Sequence, residues 1–189
     1  MEKFAKDIVL ASASPRRKDI LRKMGLDFQI VPSSVDERKI KAVLPCNLVK
    51  RLAIAKADDV ASDYKDATVR SADTIVAKWL KVYGKPKDDG DAIAMISSLN
   101  NKWHTVYTGV CVKCGEKQRV FCVASHVKFK NLTQDEIVEY VKECKPLDKA
   151  GAYGIQDDKI VEKYEGSYTN IVGLPEEKLA RVLRQVGVI

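Results

Sequence analysis

The first apolar run, Ile8-Val9-Leu10-Ala11, is short and unbroken, as expected of a strand buried on both faces. Helix signals follow at once. Ser14 suits an N-cap, Pro15 the first helical position, Ile20, Leu21 and Met24 form an apolar stripe, and Gly25 is placed to end the helix. Phe28-Gln29-Ile30-Val31 predicts a second strand, and residues 33–41 a polar loop. Over 47–61 the positions Val49, Leu52, Ala53, Ala57 and Val60 recur with helical period. Residues 67–77 are rich in β-branched side chains and predict a strand, interrupted by Ser71-Ala72-Asp73.

The second half continues the alternation of strands and helices. Gly84-Lys85-Pro86 is turn chemistry, and 89–99 is a helix with Ile93, Ile96 and Leu99 on one side. Two long β segments, 105–113 and 119–130, flank Gly115 as a hairpin. Thr133 and Glu136 form a capping box for a helix that must end near Pro146. Then come a Gly-rich loop over 150–154, strand-like 160–164, a turn at Gly166, strand-like 168–172 and a helix over 175–186. No internal repeat or linker divides the chain, so residues 1–189 read as one α/β unit with a mixed sheet and flanking helices.

Composition changes this picture little, and charge changes it more. With 46% hydrophobic and 31% charged residues the chain can build a core. No run approaches the ~20 apolar residues of a bilayer span. Met1 to Asp7 lacks an apolar leader, which predicts a soluble, cytoplasmic protein without membrane partners. Five cysteines, an odd and sparse number, predict reduced thiols. The formal net charge is +7. Residues 1–56 carry thirteen Lys and Arg against six Asp and Glu, whereas 57–189 carry twenty of each. A basic segment is either an anion-binding surface or a solvated face.

Candidate chemistry sits at the element ends. In Ser12-Ala13-Ser14-Pro15-Arg16-Arg17, the hydroxyls of Ser12 and Ser14, a helix N-terminus and two guanidinium forks could hold a phosphate. The alternative is a capped surface helix with solvated arginines. Asp73 in an apolar strand is costly unless it lies at a strand end, is paired, or works on a metal or water. Glu37, beside Asp36, could bind a hard cation or be a solvated loop residue. Lys56 lies close to the apolar stripe of its helix, pointing to a groove or snorkelling. Lys85 sits in a rigid turn. Gln156 offers an acceptor and two donors that could read a base edge. Cys111, Cys114, Cys122 and His126 resemble a zinc list, but Cys111 and Cys114 fall on opposite faces of a strand. G-x-G-x-x-G and P-loop motifs are missing, and His104 and His126 are too isolated to suggest a Ser-His nucleophile.

Taken in order, Ser12-Ala13-Ser14-Pro15-Arg16-Arg17, Ala72-Asp73-Thr74-Ile75-Val76, Gly84-Lys85-Pro86, Tyr107-Thr108-Gly109 and 148–156 resemble the successive motifs of the Maf family of nucleotide pyrophosphatases. Gly166-Ser167-Tyr168 and Val172-Gly173-Leu174-Pro175 extend the likeness over nearly the whole chain. Lys78 to Tyr83 departs from it, lacking the Asp-Gly turn often found there. The resemblance implies an inosine-triphosphatase-like fold with a deep cleft between two lobes, often in a homodimer. It implies hydrolysis of a nucleoside triphosphate to monophosphate and pyrophosphate with a divalent metal, Mg2+ or Mn2+, in nucleotide-pool sanitation. By motif, Asp73 is the proton acceptor, Lys85, Lys56 and Arg17 are catalytic, and Ser12, Ser14, Arg16, Thr74 and Gln156 bind substrate. Glu37 and Asp73 hold the metal. Arg16, Thr74 and Gln156 are similar to the subgroup that takes dTTP and UTP, including modified uridine nucleotides. The alternative is a nucleic-acid-binding or septum regulatory protein without turnover. Aromatics at 7% and the lack of a stacking motif or zinc finger weigh against nucleic-acid recognition.

Overall fold

The computed structural model describes residues 7–189; residues 1–6, most of the stretch read above for a leader, lie outside them. β1 (Ile8–Leu10) leads into α1 (Pro15–Lys23), β2 (Gln29–Ile30), α2 (Pro45–Ala61), β3 (Thr68–Lys78), β4 (Lys81–Tyr83) and α3 (Asp89–Leu99). The hairpin of β5 (Trp103–Cys114) and β6 (Lys117–Phe129) follows, then α4 (Gln134–Cys144), β7 (Val161–Glu165), α5 (Tyr168–Val172) and α6 (Glu176–Gln185). One mixed sheet has the order β2-β1-β3-β5-β6-β7, with β4 paired to β3 beside that path. β1 runs parallel to both β2 and β3, and every other pairing is antiparallel. Helices cover both faces. Ile20, Leu21, Ile96, Ile137, Leu179 and Leu183 belong to the larger core, while Ala53, Ala57 and Val60 of α2 pack with Val9, Val69 and Cys111 on the other side.

The strand order positions the site. The chain leaves β1 for β2 on one side, then returns to β3 on the other, so the carboxyl end of β1 is a topological switch point, where open α/β sheets leave a crevice. β1 ends at Leu10, opposite Arg70. β3 continues eight residues farther, to Lys78, so Asp73 and Thr74 extend past the end of β1 and border that crevice.

Several expectations are corrected. β3 is not interrupted at Ser71-Ala72-Asp73 but continuous from Thr68 to Lys78. Its polar groups are satisfied in place, Ser71 Oγ by the Ala53 carbonyl and Asp73 by Lys56. Asp73 is therefore a mid-strand residue and not a strand-end one. Residues 168–172 form α5 instead of a strand. Their β-branched content is overruled by the Ser167 hydroxyl, which accepts the Asn170 N–H, and by Gly173, whose φ of 124° ends the turn. Ser14 makes no side-chain cap, and its N–H donates to the Ser12 hydroxyl at 3.2 Å. The hairpin from β3 to β4 closes without Asp-Gly by placing Trp79 at φ 55°, with 90% of its surface exposed. The capping box of Thr133 and Glu136 forms as expected.

Gly109 sets the distance between α2 and the sheet. It pairs with Asp73 across β3 and β5, and a Cβ there would lie 2.4 Å from the backbone carbon and oxygen of Val49. Lys56 follows Val49 by two helical turns and so shares its face. Gly109→Ala must push α2 outward, and overpacking against backbone costs about 1–3 kcal/mol. Thermal melting is expected to show that loss together with weaker binding of any ligand that uses Lys56; an unchanged melting temperature would mean α2 does not bear on Gly109.

Candidate functional site

At the switch point lies a cleft of about 380 Å³, within the range of small-molecule sites. The loop after β1 contributes Ser12 and Ser14 to its wall, and α1 contributes Arg16 and Arg17. Glu37 comes from a short 3-10 turn (Glu37–Lys39), Lys56 from α2, Thr74 from β3, Lys85 from the turn after β4 and Gln156 from a turn over Ile155–Asp157. Nine of the ten sequence-nominated residues thus line one cavity. The tenth, Asp73, is 6% exposed and lies behind the wall, joined to it through Lys56. Among the described residues, five cationic side chains, Lys149 being the fifth, face two wall carboxylates, Glu37 and Asp148.

Lys56 is the hub. Its Nζ lies 2.6 Å from Asp73 Oδ1 and 2.7 Å from Glu37 Oε1, and its side chain is 12% exposed. Two carboxylates from distant segments therefore converge on one cationic point. Burial pushes the Asp73 carboxyl above its ordinary value despite the opposing charges of Lys56 and Arg17. Glu37 is also pushed up by burial, but the hydrogen bond and charge of Lys56, with Lys85 and Arg17 behind them, outweigh that and hold it below its usual value. The two carboxyls differ in proton affinity, the buried one being the better proton acceptor.

Arg17 is fixed on three sides. Its Nε donates to the Gly173 carbonyl at 2.9 Å, Nη1 to Ser12 Oγ at 3.2 Å and Nη2 to Thr74 Oγ1 at 3.2 Å. Burial lowers its pKa, opposed by Asp73, but a guanidinium stays charged. Ser12 Oγ accepts from both Arg17 and the Ser14 N–H, so its one proton remains to donate. Arg16 is held across the cleft by Asp148, Nη1 to Oδ2 at 2.7 Å, and Asp148 also receives Lys149 at 3.1 Å. Lys85 and the glycine loop meet through the Gly151 N–H, which donates to the Gly84 carbonyl at 2.9 Å. Gly151 has φ 68°, and a Cβ there would lie 2.8 Å from a Val76 methyl, so only glycine fits. Gln156 is exposed at the cleft mouth.

Asp148, Thr108, Asn170 and Gly173 also hold the site, and no feature of the sequence points to a role for them. Asp148, Thr108 and Gly173 lie inside stretches that carry the family resemblance and Asn170 lies between two of them, yet nothing in their residue types marks the contacts they make, which span up to 156 positions of chain. The zinc list comes apart in the sheet, where Cys111 pairs with Val120 and Cys122 with Gly109. No group of three or more His, Cys, Asp or Glu side chains that could hold a metal occurs among the described residues. No helix among them is long and apolar enough to cross a membrane.

Comparison with known proteins agrees with the motifs. A family profile described as "Maf-like protein" matches residues 7–186. A Thermosipho africanus protein described as a dTTP/UTP pyrophosphatase is 44% identical over 184 residues, covering 96% of this chain and 94% of its own. An Aquifex aeolicus protein with the same description is 40% identical over 184 residues, covering 96% of each. Among solved structures, the Staphylococcus aureus Ham1 protein superposes with a TM-score of 0.51 at 17% identity, over 93% of this chain and 99% of that one, a likeness of fold alone. With a profile match over almost its full length and relatives at 40% and 44% identity, the chain belongs to the Maf family.

Proposed function

We propose that this cleft hydrolyses nucleoside triphosphates, dTTP and UTP foremost, to the monophosphate and pyrophosphate. The observation that carries the reading is the Lys56 ammonium clamped between Asp73 and Glu37, within a cleft whose other wall is Arg17, Arg16 and Lys85. Cleaving between the α- and β-phosphates requires neutralising the leaving pyrophosphate and aligning a water. Arg17, Lys56 and Lys85 supply the positive charge, and the Ser12 proton can meet a phosphate oxygen. Asp73, with its raised proton affinity, takes the proton of the attacking water. Arg16 exchanges Asp148 for the substrate, and Gln156 at the mouth is placed to read the base.

The residues fit a divalent cation. Glu37 and Asp73 each give one oxygen to the Lys56 ammonium and keep a second, and Mg2+ typically takes one or two carboxylates plus substrate phosphates and water. Mg2+ or Mn2+ held by those second oxygens would add charge neutralisation on the phosphate oxygens.

The test is a panel of dTTP, UTP, CTP, GTP and modified uridine triphosphates, scored for pyrophosphate and monophosphate. Release of orthophosphate alone would replace α-β by γ cleavage. In the same panel Gln156→Ala is expected to compress the preference for dTTP and UTP by about tenfold, the scale of one base-directed hydrogen bond. An unchanged ranking would move base selection elsewhere.

A further inference from the structure

Behind Arg17 a row of hydroxyls runs inward from the cleft wall at Thr74 to the wholly buried Thr108. Arg17 Nη2 reaches Thr74 Oγ1, which is 2.9 Å from Thr108 Oγ1, and Thr108 Oγ1 donates to the Asn170 carbonyl at 3.0 Å. Thr74 and Thr108 are register partners of β3 and β5, so the sheet itself brings them together. The direction of the row follows from proton supply. A carbonyl only accepts, so the single Thr108 proton goes to Asn170. Thr108 Oγ1 then has only lone pairs for Thr74, which donates to it at 2.9 Å in preference to the more distant Gly173 carbonyl at 3.4 Å. Thr74 in turn has only lone pairs for Arg17, which can only donate. Every link runs one way, from guanidinium to Asn170.

The far end is anchored. Asn170 is wholly buried, and its Nδ2 donates to the Val106 carbonyl at 3.1 Å and to Ser125 Oγ at 3.0 Å, pinning α5 to β5 and β6. The same segment supplies the Gly173 carbonyl that takes Arg17 Nε. A guanidinium has five N–H groups. Three are committed to Gly173, Ser12 and Thr74, which leaves one on each terminal nitrogen, the pair suited to grip two oxygens of one phosphate. We infer that Thr108, held by Asn170 and acting through Thr74, is a positioning residue that sets the rotation of the Arg17 fork toward the phosphates. This rests on the triphosphate reading of the cleft and adds to it residues that never meet the substrate.

The test is a double-mutant cycle. Thr108→Val keeps shape and removes the hydroxyl, and the Asn170 carbonyl keeps the Gly173 N–H at 3.1 Å, so no buried acceptor is orphaned. Pyrophosphate release from dTTP is expected to fall about tenfold in kcat with KM within about threefold, and Thr108→Ser to restore it. In an Arg17→Lys background the same Thr108→Val change should cost less than about twofold, because its route is gone. A full tenfold loss in that background, or an unaffected kcat in the single variant, would overturn the inference. If Thr108→Val lowers the melting temperature by more than a few degrees, Thr74→Val cuts the row one link nearer Arg17 and must give the same non-additivity. Wild-type protein that releases no pyrophosphate would sink the reaction instead; the cycle read as tripolyphosphate affinity by calorimetry then decides the positioning role alone.

Discussion

Asp73→Asn lowers turnover by about two to four orders of magnitude while the fold and nucleotide binding persist, the loss expected when a positioned proton acceptor is removed. The substitution keeps the shape of the side chain and its place opposite Gly109. Lys56 retains Glu37 at 2.7 Å, so its ammonium is not left alone. Stability should not fall. A carboxyl whose native pKa is raised holds its proton more tightly when folded, so ionising it as pH rises subtracts from stability, and asparagine removes that cost. The same shift sets the sign for activity. The working form is the carboxylate, so the rate climbs as pH rises through a pKa above the ordinary ~3.9 of aspartate, and that acid limb disappears in Asp73→Asn. Steady-state pyrophosphate release across pH, alongside calorimetric nucleotide binding, checks both. Near-normal turnover in the variant would remove Asp73 from the chemistry.

Arg70→Met stabilises the protein by about 3 kcal/mol at pH 7. Arg70 is 1% exposed, and Nε, Nη1 and Nη2 have no hydrogen-bond partner among the described residues. It stands in β3 between Leu10 and Val112 and shares a strand face with Ala72 and Val76, both part of the larger apolar core. Burial alone pushes its pKa down to about 10 from 12.5. For a base whose native pKa is lowered, the cost is fully present at every pH below about 10 and is relieved only as pH rises from there toward 12.5. Methionine fills a similar volume without a charge. Urea unfolding at pH 7 should give a higher midpoint at unchanged slope. A lower midpoint would show that the guanidinium has an acceptor in solution and contributes to the fold.

The helices with strong periodicity were legible. The periodicity of 47–61 predicts a helix and α2 runs Pro45–Ala61; 89–99 coincides with α3. Here the pattern is local and the burial it records is the burial that occurs. Residues 168–172 depart from the strand their composition predicts because β-branched content describes a preference, whereas the Ser167 cap and the glycine stop act through hydrogen bonds. The sequence predicts a break in β3 because a polar triplet in a strand is unfavourable until partners appear, and those partners, Ala53 and Lys56, belong to a helix up to eighteen residues earlier in the chain.

The motifs by themselves determined which side chains gather at the cleft, because each is tied to an element whose type is set locally, whether at its end, as for Arg16 and Arg17, or within it, as for Lys56 and Thr74. Only the tertiary structure decided what those side chains do to one another. That Lys56 would stand between Asp73 and Glu37, and that Arg17 would be turned by a row ending at Asn170, depends on strand order and on the register of β3 with β5. Charge and hydrogen-bond energies change over a few ångströms, and distances that small are fixed by packing between distant segments, not by spacing along the chain.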